Sequence, residues 1–340
     1  MTMINEGEPR PVDQEGIARI TVGKSQGRMI LERFLQNWVA MASLGVFLAV
    51  IVLSVTSIGA FGIPGWWKYQ YTDLATPLNG GAPTLSLIPE WLGGDGITLG
   101  EHPFGQTLIG IDYFSMTMRG VQNSLIVMFI IGGLVAVIGT VVGAVAGYYR
   151  GWVESVLMRF TDLIIIIPVI VLGAVVGKIA SEHFKGLGVL GLSIVLGLFL
   201  WTGLARLLRG EFLTLREREY VDAARVSGAR DARIMFRHIL PNAIGVVIVA
   251  TTLIMAAAIL LETGLSYLGF GIRSPDVSLG LIISQNQTAF GTRPYLFLWP
   301  GVFIVIIALT VNFIGDGLRD AFDPRQRKFV ARRMKEQESK

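Results

Sequence analysis

The sequence lacks the residues on which several kinds of protein depend. Its 340 residues include no cysteine, which excludes disulfides and thiolate metal ligands. The three histidines, His102, His183 and His238, are too far apart in sequence to suggest a histidine metal site. Charged residues make up only 16% of the chain, whereas a soluble globular domain carries about 25%. We therefore expect neither a metal site nor a soluble fold.

The sequence is instead rich in long apolar runs. Hydrophobic residues make up 52% of the chain, and runs of roughly 20 residues, enough to cross a bilayer, recur along it. These runs predict an all-α, polytopic membrane protein with six transmembrane helices. The six predicted windows are residues 34–67, 120–149, 163–180, 186–205, 241–265 and 294–314.

These windows also predict how the chain is divided. A polar tail (1–33) precedes the first transmembrane helix (34–61), and an external loop (62–119) follows it. A five-helix core (120–315) contains a polar loop at 206–240, and a second tail (316–340) ends the chain. The loop 62–119 includes the stretch WWKYQY (66–71), which is typical of the aromatic belt at a membrane interface.

The distribution of lysine and arginine predicts the orientation. With six spans, the connections on one side, including both tails, carry 23 of these residues, and those on the other side carry 6. Basic residues accumulate on the cytoplasmic side of membrane proteins. We therefore expect both termini and the 206–240 loop in the cytoplasm. The net charge of +4 then reflects topology and gives no reason to expect nucleic-acid binding.

Two features resemble chemical motifs. Residues 23–25 read GKS, the end of a phosphate-binding loop, but Ala18 stands where that motif requires glycine. We therefore expect no catalytic residue, and any ATP must bind another chain. Glu262 follows a long apolar run, where a carboxylate is costly unless it faces a cavity or a partner. It is either a pathway or gating residue or, as we favour, an interfacial residue just beyond a span that ends near Leu261.

A polar block, EREYVDAARVSGARDARIMFRHILPN (217–242), separates two apolar windows. Its composition predicts a helix over 217–227, a turn at Gly228 and a second short helix over 229–238. Pro241 would stand near the start of the fifth span, where its missing N–H costs nothing. The block would then be a compact helix–turn–helix that inserts into a groove on a partner. An apolar contact surface would come from Val221, Ala224, Ile234 and Met235. A solvated loop whose arginines only fix topology is the alternative.

The block resembles the coupling loop of ABC-importer permeases. That family's pattern is roughly Glu-Ala-Ala, three residues, glycine, nine residues, then Ile-x-Leu-Pro. Here Asp222 replaces the glutamate and His238 stands at the isoleucine position. In the family this loop forms a helix that docks into a cleft on the ATPase. The resemblance implies an ATPase-coupling role for Glu219, Tyr220, Asp222, Ala223, Ala224, Arg225, Gly228, Arg230, His238, Leu240 and Pro241.

Further segments resemble the oligopeptide and dipeptide branch of that family. They are residues 102–125, 147–168, 262–280 and 312–325. The first departs from the family pattern at Gln106, Thr107, Ile111 and Met116. The resemblance is strongest to the C-type subunit and implies the type I ABC-importer permease fold.

The resemblance also implies a set of partners. The chain would lie in the lipid of the bacterial inner membrane and pair with a sister B-type permease. Two ATPase subunits would bind ATP and Mg²⁺ at the cytoplasmic face, and a solute-binding protein would bind outside. The solute would be a dipeptide or oligopeptide, with nickel or oligosaccharides as alternatives. An ion-driven secondary carrier and a membrane scaffold are alternatives of other classes.

Overall fold

The computed structural model describes residues 26–60, 62–86, 96, 98–183 and 188–322. The described residues form helices almost throughout, as the sequence predicts. Most of both predicted tails, and the GKS stretch, lie outside them. The helices are α1 (Gln26–Gln36), α2 (Trp38–Ile58), α3 (Tyr113–Tyr149), α4 (Gly151–Ile166), α5 (Val169–His183), α6 (Gly188–Leu200), α7 (Thr202–Leu215), α8 (Glu219–Val226), α9 (Asp231–Arg233), α10 (Leu240–Tyr267), α11 (Leu279–Asn286) and α12 (Tyr295–Phe322).

Short elements complete the described fold. Two-residue strands β1 (Gly59–Ala60) and β2 (Ile63–Pro64) pair antiparallel just after α2. Helical turns of 3-10 type lie at Leu78–Gly81 and Gln287–Ala289, and a π-helical turn spans Ile234–Ile239.

Five stretches of the described chain are long and apolar enough to cross a membrane. The bent pair α4–α5 makes a sixth if it counts as one span. The predicted count of six is reached only with this pair. The five stretches are Trp38–Ile58, Tyr113–Tyr149, Gly188–Leu215, Asp231–Tyr267 and Tyr295–Phe322.

The predicted third span, residues 163–180, is broken in the structure. Ile167 has extended backbone angles (φ −73°, ψ 116°) and directly precedes Pro168. Proline has no N–H to donate and disfavours a helical conformation in the residue before it. Helices α4 and α5 therefore meet at a bend of 73°. The predicted third span is therefore two helices joined at a bend, whose cause, Pro168, is visible in the sequence.

Helix α3 lies at the centre of the bundle and packs most closely against α7. Gly139, Gly143 and Gly147 line this contact, one turn apart. A methyl group at Gly143 would lie 2.7 Å from the carbonyl oxygen of Ala205, and one at Gly147 would lie 2.8 Å from that of Arg209. Small residues at this spacing allow helices to approach closely. Helix α7, which leads directly into the polar block, is therefore held rigidly against α3.

The loop before α3 folds around one buried carboxylate. Asp112 accepts hydrogen bonds from the backbone N–H of Ser115 (2.8 Å), which caps α3, and from Trp67 Nε1 (3.0 Å). His102 Nδ1 lies 2.7 Å from the other carboxylate oxygen, and the Tyr69 ring packs on His102 at 4.4 Å. Trp67 and Tyr69 thus pack inside the loop. These contacts give both rings a role inside the loop, and their place in an interface belt stays a prediction.

Candidate functional site

The polar block begins with helix α8 (Glu219–Val226), slightly shorter than predicted. Arg218, just before it, has an extended backbone, so the helix begins cleanly at Glu219. Glu219 and Asp222 lie in the first turn and Arg225 in the last, an arrangement that complements the helix dipole. Arg225 also donates a hydrogen bond of 3.0 Å to Asp222. The charges of this helix therefore stabilise it and fix its ends.

Gly228 ends α8 in the left-handed conformation that the sequence predicts. Its φ is +77°, a region that glycine enters without steric cost. Its N–H donates to Arg225 O (2.9 Å), and the Ala229 N–H donates to Ala224 O (3.1 Å). This pair of bonds is a Schellman motif, which satisfies the last carbonyls of the helix. The motif sets the angle between the two arms of the block, which are α8 (Glu219–Val226) before Gly228 and the helix that begins at Asp231 after it.

The second arm of the block is continuous with the fifth span. Helix α9 runs through the π turn into α10, and Asp231–Tyr267 forms one apolar helical stretch of 37 residues. The Leu240 N–H donates to Met235 O, five residues back. This wider turn lets the helix pass Pro241, whose missing N–H interrupts the normal pattern. The predicted separate helix over 229–238 is therefore wrong, because this segment continues into α10. Pro241 does lie in the first turn of α10, as the sequence predicts.

The apolar residues of the block face inward. Val221 and Ile234 are fully buried and Met235 is 4% exposed, all within one core cluster that includes Phe212 of α7. Ala224 is half-buried against the same cluster. The sequence suggested that these residues form a surface for a partner. The structure shows instead that they attach the block to its own bundle.

The outward face of the block is polar with a few apolar side chains. Val226 is 90% exposed at the end of α8, and Phe236 is 43% exposed on the π turn. Neither was among the predicted residues, because the sequence alone does not distinguish the exposed Val226 from the buried Val221 of the same helix. Three of the predicted residues are half-buried: Ala224, His238 and Leu240. The other predicted residues are exposed: Glu219, Tyr220, Asp222, Ala223, Arg225, Gly228, Arg230 and Pro241.

Tyr220 lies on α8 where the two arms approach each other. Asn242, at the start of α10, donates to the Tyr220 hydroxyl at 3.5 Å and to His238 O at 2.7 Å. Partial burial raises the pKa of the Tyr220 phenol. The side chain is therefore a neutral, partly apolar contact between the arms at physiological pH.

Tyr148, at the end of α3, braces the block. Its hydroxyl donates to Asp231 Oδ1 at 2.8 Å, and its ring lies 6.0 Å from the guanidinium groups of Arg216 and Arg225. Arg216 also donates to the Tyr148 carbonyl oxygen. Sequence reasoning missed Tyr148, because its partner lies 83 residues away. The brace ties both arms of the block to the central helix.

Glu262 is fully buried within α10. Ser124 Oγ of α3 donates to one carboxyl oxygen (2.9 Å) and Ser266 Oγ to the other (2.7 Å). Ser266 Oγ in turn accepts the Ile272 N–H at 3.0 Å. The favoured interpretation, an interfacial residue beyond the end of the span, is therefore wrong. The side chain joins α3, α10 and the segment that follows α10.

The comparisons with known proteins identify the family. Residues 139–328 match the family described as "Binding-protein-dependent transport system inner membrane component". The Mycobacterium tuberculosis H37Rv protein named oligopeptide transport system permease protein OppC is 36% identical over 307 residues, covering 89% of this chain and 96% of that one. This chain belongs to the binding-protein-dependent transport permeases.

Other similar proteins carry related names. A Haemophilus influenzae protein of the name OppC is 34% identical over 306 residues, covering 90% of each chain. A putative peptide permease of Brucella ovis is 36% identical over 295 residues, covering 86% of this chain and 89% of its own. An inward-facing structure of the MetNI methionine ABC transporter covers 61% of this chain and 96% of its own, at 21% identity and a TM-score of 0.49.

Family membership places the site within a transport assembly. The permease is a multi-pass inner-membrane subunit of an ABC importer with the type I permease fold, and it works with ATPase subunits and a permease partner. The family match begins within α3 and includes the entire polar block, Tyr148 and Glu262.

Proposed function

We propose that this permease imports oligopeptides or dipeptides and that the polar block couples it to the ATPase. The observation that carries the coupling role is the outward face of the block. It presents a rigid, braced turn with one prominent apolar side chain, Val226, at 90% exposure. Peptides as the solute are supported by the names of relatives that are 34–36% identical over most of their length.

In the proposed mechanism, α8 docks into a cleft on the ATPase. The exposed charges Asp222 and Arg225 fix the register of the contact, and Ala223 permits a close approach. ATP and Mg²⁺ bind the ATPase subunits, and this permease performs no catalysis. When the ATPases close, the block moves with them. The core contacts of Val221 and the Tyr148 brace pass that motion to α3, α7 and α10 as rigid-body rocking.

The remaining parts of the assembly follow from the same proposal. The permease pairs with a sister B-type subunit to enclose the pathway, and a solute-binding protein delivers peptide from outside. Both chain termini and the polar block face the cytoplasm, as the distribution of basic residues favours. Glu262 is a structural carboxyl that fixes the outer end of α10, because its hydrogen bonds are already satisfied within the chain.

The test is uptake by purified transporter in proteoliposomes with its binding protein. We expect labelled oligopeptide to accumulate only when ATP reaches the ATPase side. Nickel or labelled oligosaccharide taken up in place of peptide would show that the solute is wrong while the importer is right. Uptake driven by an ion gradient without ATP would support a secondary carrier. A chain that never co-purifies with an ATPase or a second permease would support a scaffold.

A further inference from the structure

A cleft opens at the same end of the bundle as the polar block. Its volume is about 1230 Å³, larger than typical small-molecule sites of roughly 300–1,000 Å³. Four helices line it: α1, α7, α10 and α12. Most of its wall is apolar, with Phe34, Val249 and Leu253 among the lining residues. The cleft is therefore suited to an elongated ligand with an apolar part.

Helix α1, one wall of the cleft, has the character of a helix that lies in a membrane surface. Phe34 and Leu31 line the cleft, and Leu31 and Leu35 are also 56% and 52% exposed. Trp38, one turn further at the start of α2, is 77% exposed. Asn37 separates the two helices with a non-helical backbone and caps α2, a membrane span. An amphipathic helix joined to a span in this way lies at the level of the lipid headgroups.

Two arginines, Arg33 and Arg319, line the cleft. Arg33 of α1 is half-buried and donates weakly to Ala321 O at 3.4 Å. Arg319 of α12 is exposed, and within the described part of the chain it forms no hydrogen bond or ion pair. One acidic residue, Glu211 of α7, also lines the cleft. The cleft thus combines apolar walls, two cations and one opposing carboxylate.

We propose that this cleft binds an anionic phospholipid of the inner leaflet, with the phosphate between Arg33 and Arg319 and an acyl chain along the apolar wall. Basic pockets between transmembrane helices on the cytoplasmic side bind acidic headgroups. The amphipathic wall places the arginines at headgroup depth, and the neighbouring span places the apolar wall in the acyl region. The assignment to the inner leaflet rests on the orientation in the proposed function.

The test measures the lipid retained by the assembled transporter. The complex is reconstituted in nanodiscs of phosphatidylcholine with a minor fraction of phosphatidylglycerol and extracted in mild detergent. Retained lipids are then counted by mass spectrometry. We expect phosphatidylglycerol to be enriched over its supply. Arg33→Gln and Arg319→Gln each reduce this enrichment about fivefold, the effect of one cation near a membrane surface. Glu211→Gln raises it, because the opposing charge is removed.

Matched controls make the result specific. Arg159, an exposed arginine of α4 outside the cleft, serves as the control, and Arg159→Gln leaves enrichment unchanged.

Equal retention of phosphatidylcholine, or unchanged enrichment in the Arg33/Arg319 double variant, would overturn the proposal. So would displacement by inorganic phosphate as efficient as by phosphatidylglycerol, which would indicate a site for free phosphate. Lipid that binds the isolated chain but not the assembled transporter would show that a permease contact covers the cleft. None of these outcomes depends on uptake, so the proposed function is tested separately.

Discussion

Replacing Gly228 tests whether the turn between the two arms carries the coupling. The position has φ +77°, and a Cβ there would meet nothing within 4 Å. A side chain would therefore fit, and its cost comes only from the backbone conformation. That cost is about 1–2 kcal/mol for an ordinary residue, which changes the equilibrium between the native turn and its alternatives by about 5- to 30-fold. A β-branched residue costs more, whereas asparagine tolerates this region.

We therefore expect a graded series at this position. Gly228→Asn stays near wild type, Gly228→Ala is intermediate, and Gly228→Val loses the most peptide uptake for each ATP hydrolysed. The assay measures uptake and hydrolysis together in proteoliposomes, so uncoupling is distinguished from loss of ATPase activity. Gly210 of α7 is the matched control, because it is an exposed helical glycine with equally open surroundings. Gly210→Ala should leave the ratio unchanged and stabilise the helix by about 0.5–1 kcal/mol.

Two results would refute this reasoning. If Gly228→Val retains the wild-type ratio of uptake to hydrolysis, the turn geometry does not matter for coupling. If asparagine and valine are equally damaging, the loss arises from the presence of a side chain and not from backbone strain.

Four further predictions follow from the contacts. Val226→Asp should leave the melting temperature unchanged, since this side chain is 90% exposed. The same variant should weaken co-purification with the ATPase, because burying a valine in that contact would contribute about 1.5–3 kcal/mol. Tyr148→Phe removes the bond to Asp231 and should lower the free energy of unfolding by about 0.5–1.5 kcal/mol, measured by thermal melting; an unchanged melt contradicts the brace. Glu262→Gln should transport normally, and lost uptake in this variant would instead indicate gating. Glu262→Leu should lower the free energy of unfolding by about 1–3 kcal/mol, because it leaves Ser124 and Ser266 without their hydrogen-bond acceptor. Gly143→Leu should abolish membrane assembly, because even a methyl group would lie 2.7 Å from a carbonyl oxygen of α7; normal expression of this variant would contradict the close packing.

Local signals predicted the polar block well. Gly228 marked the turn because few other residues adopt a positive φ. The composition of 217–227, with charges and alanine but no glycine or proline, marked the helix before it. The path beyond the turn was harder to predict. Pro241 ordinarily begins or breaks a helix, and nothing in the local sequence shows that a π turn carries the helix past it.

Contacts between distant segments could not be read from the sequence. Glu262 was assigned to the interface because its buried partner Ser124 lies 138 residues away on α3. The block's apolar residues were assigned to a partner for the same reason, since the cluster that buries Val221 is assembled from several helices. The sequence shows that a side chain is apolar, but it does not show which neighbour covers it.

The continuity of the second arm with α10 has a mechanical consequence. The distance along the helix from Asp231 to Glu262 is about 46 Å at 1.5 Å per residue. In the proposed mechanism this helix is a lever, with one end in the polar block and the other at the buried carboxyl of Glu262. A tilt of about 3° over this length displaces one end by about 2.4 Å relative to the other. The π turn at Ile234–Ile239 lies between Asp231 and the rest of this helix. In the proposed mechanism, the compliance of that turn therefore sets how much of the block's movement reaches Glu262.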